Sequence, residues 1–187
     1  MSMTRKRVFL RLGVLLCFAG AMSFWIAADA GAQVAPAIVS YAAKFVCGAT
    51  RTDTDVVRGL YGTAVNIHNP LLQLPVTFTK KAVIALPERS KLRGPISDRV
   101  SETLKPDEAM SVDCVDIRRL FGDVAIPAHF EGFLVIETHS PVEIVDHPLD
   151  VVAKYTARHR TGTNTADPTV YDVETMDIET ITPKRIQ

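Results

Sequence analysis

The chain has 187 residues, 21 basic and 21 acidic, so its formal charge is zero. The balance hides two parts: residues 1–32 hold four basic residues against one acidic, +3, and the other 155 hold 17 against 20, −3. A mildly acidic body argues against non-specific nucleic-acid binding, which needs a basic face, and against adsorption to an anionic membrane, yet it is long enough for one domain with a real core.

Residues 1–32 read as a signal peptide. Arg5-Lys6-Arg7 is a basic n-region, and Val8–Ala28 is apolar apart from Arg11, Gly13, Gly20 and Ser23. Ala30-Gly31-Ala32 places small residues at −3 and −1 of a cleavage site before Gln33, with Ala28 and Ala30 offering an earlier one. The physics of export follows: the apolar run enters the bilayer while the basic residues stay cytoplasmic. The alternative is an uncleaved N-terminal anchor, because the 17 residues Leu12–Ala28 reach the short limit of a membrane span. Cys17 follows Leu16 rather than a small residue, which disfavours lipidation.

The body carries two cysteines, Cys47 and Cys114. In an oxidising compartment an isolated pair is expected to form a disulfide. Two buried thiols, or half of a metal site, are the alternatives, but no CxxC partner or nearby histidine accompanies either cysteine.

Val39–Cys47 alternates Val39, Tyr41, Ala43, Phe45 and Cys47 on one face, a first strand with Cys47 inward. A polar loop, Gly48–Arg58, follows. Leu60–His68 turns Tyr61, Thr63, Val65 and Ile67 one way and Asn66 and His68 the other, and Asn69-Pro70 ends it. Leu71, Leu72 and Leu74 then stand between Pro70 and Pro75. Exposed, they form a contact patch; folded down, they close the end of the fold. Val76–Leu86 alternates until Lys80-Lys81 breaks the pattern, where a bulge or crossover is expected.

Pro87–Asp98 is a turn-rich loop carrying Arg89, Lys91 and Arg93. Arg99–Leu104 reads as a polar edge strand and Met110–Val112 as a strand fragment. Asp113 can cap a short helix in which Cys114, Ile117 and Leu120/Phe121 share a face, ended by Gly122. Gly132–Ile136 is an unbroken apolar run, expected to be a strand buried on both faces. Turns at His139-Ser140-Pro141 and Asp146-His147-Pro148 precede a strand with Leu149, Val151, Ala153 and Tyr155 on one side. Arg158–Pro168 reads as a hairpin loop. Val170–Ile181 is an acidic last strand whose parity slips near Thr175, so a bulge is expected there. Residues 183–187 are expected to be a loose tail.

No chemical motif emerges. GxSxG, SxxK, GxGxxG and P-loop patterns are missing, and no histidine pair has HxH or HxxxH spacing. The weak metal candidates are His139, His147 and Asp146, which a tight loop would bring together.

The segments KFVCG (Lys44, Phe45, Cys47, Gly48), NIHNP (Asn66, His68, Asn69, Pro70), GFLVIETHSP (Gly132, Phe133, Ser140, Pro141) and LDVVAKYT (Leu149, Asp150, Val151, Tyr155, Thr156) resemble a group of small exported bacterial proteins of unknown function. That resemblance implies export and a β-sandwich-like domain and brings no catalytic residues with it. The strand pattern also resembles the small β-sandwich of sensory rhodopsin transducers.

The expectation is an all-β protein: a signal peptide at 1–32, one Ig-like or related β-sandwich of about seven or eight strands with one short helix at 33–182, and the tail. It is expected to be non-catalytic, without cofactor, a binding or structural module in the periplasm or outside the cell. Its partner is an envelope protein or glycan, met through Asn66, His68, Leu71, Leu72 and Leu74. The alternatives are a small envelope enzyme or metal-dependent protein using His139, His147 and Asp146, and a membrane-tethered module that keeps its leader.

Overall fold

The computed structural model describes residues 37–50, 58–140, 147–159 and 172–186; the leader, Asp146 and most of the Arg158–Pro168 loop lie outside them. Nine strands and one α-helix occur among the described residues, in the order β1 (Ala37–Thr50), β2 (Gly59–His68), β3 (Val76–Ile84), β4 (Val100–Leu104), β5 (Ala109–Asp113), α1 (Cys114–Leu120), β6 (His129–Ser140), β7 (Asp150–His159), β8 (Asp172–Thr180) and β9 (Lys184–Ile186). The protein is therefore all-β with one short helix, as its alternating segments predict. The segment expected to be a loose tail instead supplies β9, which pairs Lys184–Ile186 with Ile38–Ser40 of β1.

The strands form one antiparallel sheet in the order β4-β3-β6-β1-β2-β7-β8, with β5 added to β2 and β9 to β1. Two strands let this single sheet double back on itself. The edge of β1 away from β6 is shared, β2 taking Gly48–Thr50 and β9 taking Ile38–Ser40. The matching edge of β2 is shared too, β1 taking Gly59–Tyr61 and β5 taking Ala64–His68. Beyond Gly48↔Tyr61 the two strands part, and their buried rows face each other. Val39, Tyr41, Ala43 and Phe45 of β1, Phe78 of β3 and Leu134 and Ile136 of β6 make one wall. Val65 and Ile67 of β2, Val112 of β5 and Val151 and Ala153 of β7 join the same core. The Tyr41 hydroxyl spans the gap, donating to Leu149 O at 2.9 Å and accepting from Leu149 N at 3.1 Å. Burial raises its pKa.

Parting strands leave backbone groups that need partners. Thr63 supplies them, its hydroxyl accepting from Val46 N at 2.9 Å and donating to Val46 O at 3.0 Å. A threonine in the apolar row of β2 is thus explained: it replaces the rung the ladder lacks. At the same place the Cys47–Cys114 disulfide ties β1 to the start of α1, with Cα atoms 5.6 Å apart. Cys114 Sγ also accepts from Thr63 N at 3.2 Å.

The helix follows the expected logic. Asp113 accepts from Val115 N and Asp116 N, Asp116 returns a bond to Asp113 N, and Gly122 takes a positive φ of 55° just beyond the end. Ile117 and Phe121 are buried.

Two local readings change. No bulge interrupts β3 at Lys80-Lys81; its register with β6 runs unbroken from Phe78↔Thr138 to Ile84↔Gly132. Lys80 keeps the inward parity of Phe78 and Ala82, and its ammonium reaches Glu102 on β4 at 2.6 Å. An ion pair with a residue 22 positions away lets a charged side chain hold a core position. The Gly132–Ile136 run is buried on one face only: Leu134 and Ile136 are buried, whereas Phe133 is 45% exposed. The expected slip in the last strand is present, since Tyr155 faces Asp177 and Thr156 faces Thr175, leaving Met176 as the extra residue.

Candidate functional site

β2 ends on His68, whose ring lies on the outer side of its layer because Ile67 and Val65 point into the core. Opposite it on β7 stands Asp150, in register with His68. Asp150 Oδ2 is 3.2 Å from His68 Nδ1. The other ring nitrogen, Nε2, is 3.1 Å from Asp107 Oδ1. Asp107 belongs to the turn joining β4 and β5 and has a left-handed φ of 60°. That turn is closed by Glu108 N donating to Lys105 O at 3.1 Å and by Lys105 N donating to Glu108 Oε2 at 2.8 Å. The Lys105 N–H holds the Glu108 carboxyl below its usual value. His68 is pushed the other way: its hydrogen bonds first to Asp107 and then to Asp150 raise its pKa. With both ring nitrogens taken by carboxylates, neither is presented to a nucleophile. The cluster links three elements by charge and has no general-base geometry.

The next residue, Asn69, is wholly buried. Its amide Nδ2 reaches three carbonyl oxygens, Leu74 O at 2.9 Å, Lys105 O at 3.0 Å and Leu104 O at 3.1 Å. Its Oδ1 accepts from Leu71 N at 3.0 Å. Its backbone N–H donates to Glu108 O at 2.9 Å and its C=O accepts from Asp107 N at 3.0 Å. One side chain therefore fixes both ends of the Pro70–Pro75 loop and joins it to the turn that carries Asp107. An Asn two residues before a turn amide often does this locally; here the reach extends to β4.

The loop presents its leucines unequally. Leu71 is partly buried and packs against the core, whereas Leu72 is 82% and Leu74 53% exposed. Compared with known proteins, the chain matches no family model, no curated protein and no solved structure.

The sequence-predicted site residues within the described residues fall in four places. Asn66, His68 and the leucines gather at this end of the molecule, with Asn66 exposed on β2. Cys47 and Cys114 are joined in the disulfide. His139 lies on β6, lining a small recess with Arg99 and Glu137, and His147 is exposed just before β7. Asp146 lies outside the described residues, among which no three His, Cys, Asp or Glu side chains converge as a metal site would require. Sequence reasoning missed Asp107, Asp150 and the role of Asn69. Two signals were available: the Pro106-Asp107-Glu108 turn, and an aspartate at the start of an apolar strand.

Proposed function

We propose that this is an exported, non-catalytic binding module of the cell envelope, and that its contact surface is the Pro70–Pro75 loop with its charged surround. One observation carries the reading: Leu72 and Leu74 stand out from a loop that a fully buried Asn69 holds in place. A single exposed leucine is ordinary. Two on one loop, held out by the Asn69 amide's bond to Leu74 O and the Asx turn at Leu71 N, form a preorganised apolar contact, and preorganisation lowers the entropy lost on binding. Lys105, Asp107 and Asp150 supply the polar rim that such a centre needs. Leucine side chains offer no hydrogen bonds, so the partner is a protein with a small apolar socket rather than a glycan. The Cys47–Cys114 bond supports export, because such bonds persist in oxidising compartments. None of the described helices is long and apolar enough to cross a membrane.

The test is the Leu72→Ser/Leu74→Ser double variant. Leu72 is 82% and Leu74 53% exposed and neither belongs to the core, so stability should change by less than about 1 kcal/mol. The envelope protein that co-purifies with the wild type from the native host should be lost. Retention of that protein by the variant, or no wild-type-specific protein at all, overturns the reading.

A further inference from the structure

We infer that His68, Asp107 and Asp150 form a pH-operated latch on the leucine-bearing loop, closed while the imidazole is charged and opened at Asp107 when it is neutral. The inference rests on the reading of that loop as the contact surface and adds how the surface is regulated.

A charged imidazole has two N–H donors; a neutral one has a single donor and a lone pair. Asp107 and Asp150 take one nitrogen each, at 3.1 and 3.2 Å. Neutral His68 can satisfy only one carboxylate, and its lone pair then faces the other. The two ends differ in how firmly they are held. Asp150 sits in β7, paired in register with β2 and followed there by eight further ladder pairs toward Leu60. Asp107 sits in a four-residue turn at a left-handed φ of 60°, which aspartate tolerates better than most residues, and that turn lies outside the ladders, which stop at Leu104 and resume at Ala109. The turn is the end that releases.

Release there travels through hydrogen bonds already described. Asp107 N and Glu108 O hold the Asn69 backbone, and the Asn69 side chain holds Leu71 N and Leu74 O. Loosening the turn therefore loosens the loop that displays Leu72 and Leu74.

The surrounding charges do not offer a substitute. Within the turn, Lys105 pairs with Glu108 at 3.5 Å. On β5, Asp113 is opposite Ala64 and is engaged in capping α1. On β7, Lys154 is likewise opposite Ala64, away from the end of the strand. His147 is exposed in the segment leading into β7. The field of Asp150 also reaches Tyr41, which stays protonated throughout this range because its pKa is raised.

The direction follows from His68 having a raised pKa in the folded protein. The stabilisation is complete below the ordinary histidine value of about 6.5 and is lost as pH rises through the higher folded value. The surface is thus most ordered under acidic conditions.

The experiment uses the native protein without a partner. Imidazole resonances report the His68 titration, and amide exchange is followed at Asn69, Leu71 and Asp107. The His68 midpoint should lie above about 6.5, and it should fall in Asp107→Asn, which keeps a residue tolerant of the left-handed turn. Exchange at the three amides, corrected for its intrinsic pH dependence, should rise by up to about tenfold per pH unit across the wild-type midpoint, the limit for one linked proton. His68→Gln should abolish that rise. Flat corrected exchange across the His68 titration, or a midpoint unmoved by Asp107→Asn, overturns the latch. Since no partner is involved, such a failure leaves the contact surface untouched, and failure of the leucine variant leaves the latch untouched.

Discussion

Asn69→Ala is the most informative single substitution. The residue is wholly buried, and its side chain makes one accepted bond, from Leu71 N, and reaches three carbonyls, those of Leu74, Leu104 and Lys105. An amide has two N–H donors, so its true complement is three bonds, one of them shared. At about 1 kcal/mol net for each bond, truncation should cost about 3 kcal/mol. The buried carbonyl of Leu104 gains no new donor, which keeps the loss near that figure. For a domain whose total stability is about 5–15 kcal/mol, this is a large fraction. With a urea slope of about 2 kcal/mol/M, the unfolding midpoint should fall by about 1.5 M. Asn69→Asp sharpens the test. It preserves shape and the acceptor for Leu71 N but aims a second oxygen at three carbonyl oxygens, so it should be at least as damaging as alanine. A loss below about 1 kcal/mol for alanine, or an aspartate variant as stable as wild type, would refute the clamp.

The other predictions concern the core and its cross-links. Cys47→Ser/Cys114→Ser opens a loop with a sequence separation of 67 residues and should lower stability by about 4 kcal/mol in the chain-entropy description. Intact mass of the native protein, starting at Gln33 and showing two thiols only after reduction, is expected if the chain is exported. At Lys80 the asymmetry of buried ion pairs should be visible. The ammonium-bearing side chain is only 8% exposed, while Glu102 is 38% exposed. Lys80→Met should fall within about 1 kcal/mol of wild type or exceed it, whereas Glu102→Ala, which strands the ammonium, should lose about 2 kcal/mol by chemical denaturation. Equal losses in the two variants would show that packing rather than charge decides that site.

Strand parity was legible because period two is a local property. Tyr61, Thr63, Val65 and Ile67 were assigned inward from Leu60–His68 alone, and all four are buried. The capped helix at Asp113 was legible for the same reason, since every group in its capping box lies within three residues. What failed was non-local. Lys80 looks like a break in an alternating strand until Glu102 is known to lie across the ladder. Phe133 looks buried because an apolar run carries no mark of which face has no second layer over it. The candidate site divides along the same line. Asn66, His68 and the leucines were singled out from their own segment, but the partners of His68 lie 39 and 82 residues away. The turn at Asp107 and the aspartate opening β7 are each legible locally, but only the folded strands bring them to the two sides of one imidazole. Leu71 could not be told from Leu72 and Leu74 by composition, because the distinction is made by a hydrogen bond from Leu71 N to Asn69.

The central claim, a fixed loop offering two leucines to a protein partner, is tested most directly by proximity in the native envelope. A photo-crosslinking residue placed at Leu72, which is 82% exposed, is compared with one at Leu92, 68% exposed in a different loop. The account predicts one discrete crosslinked protein from position 72 and none from position 92. The same products from both positions, or no product from position 72, would contradict it.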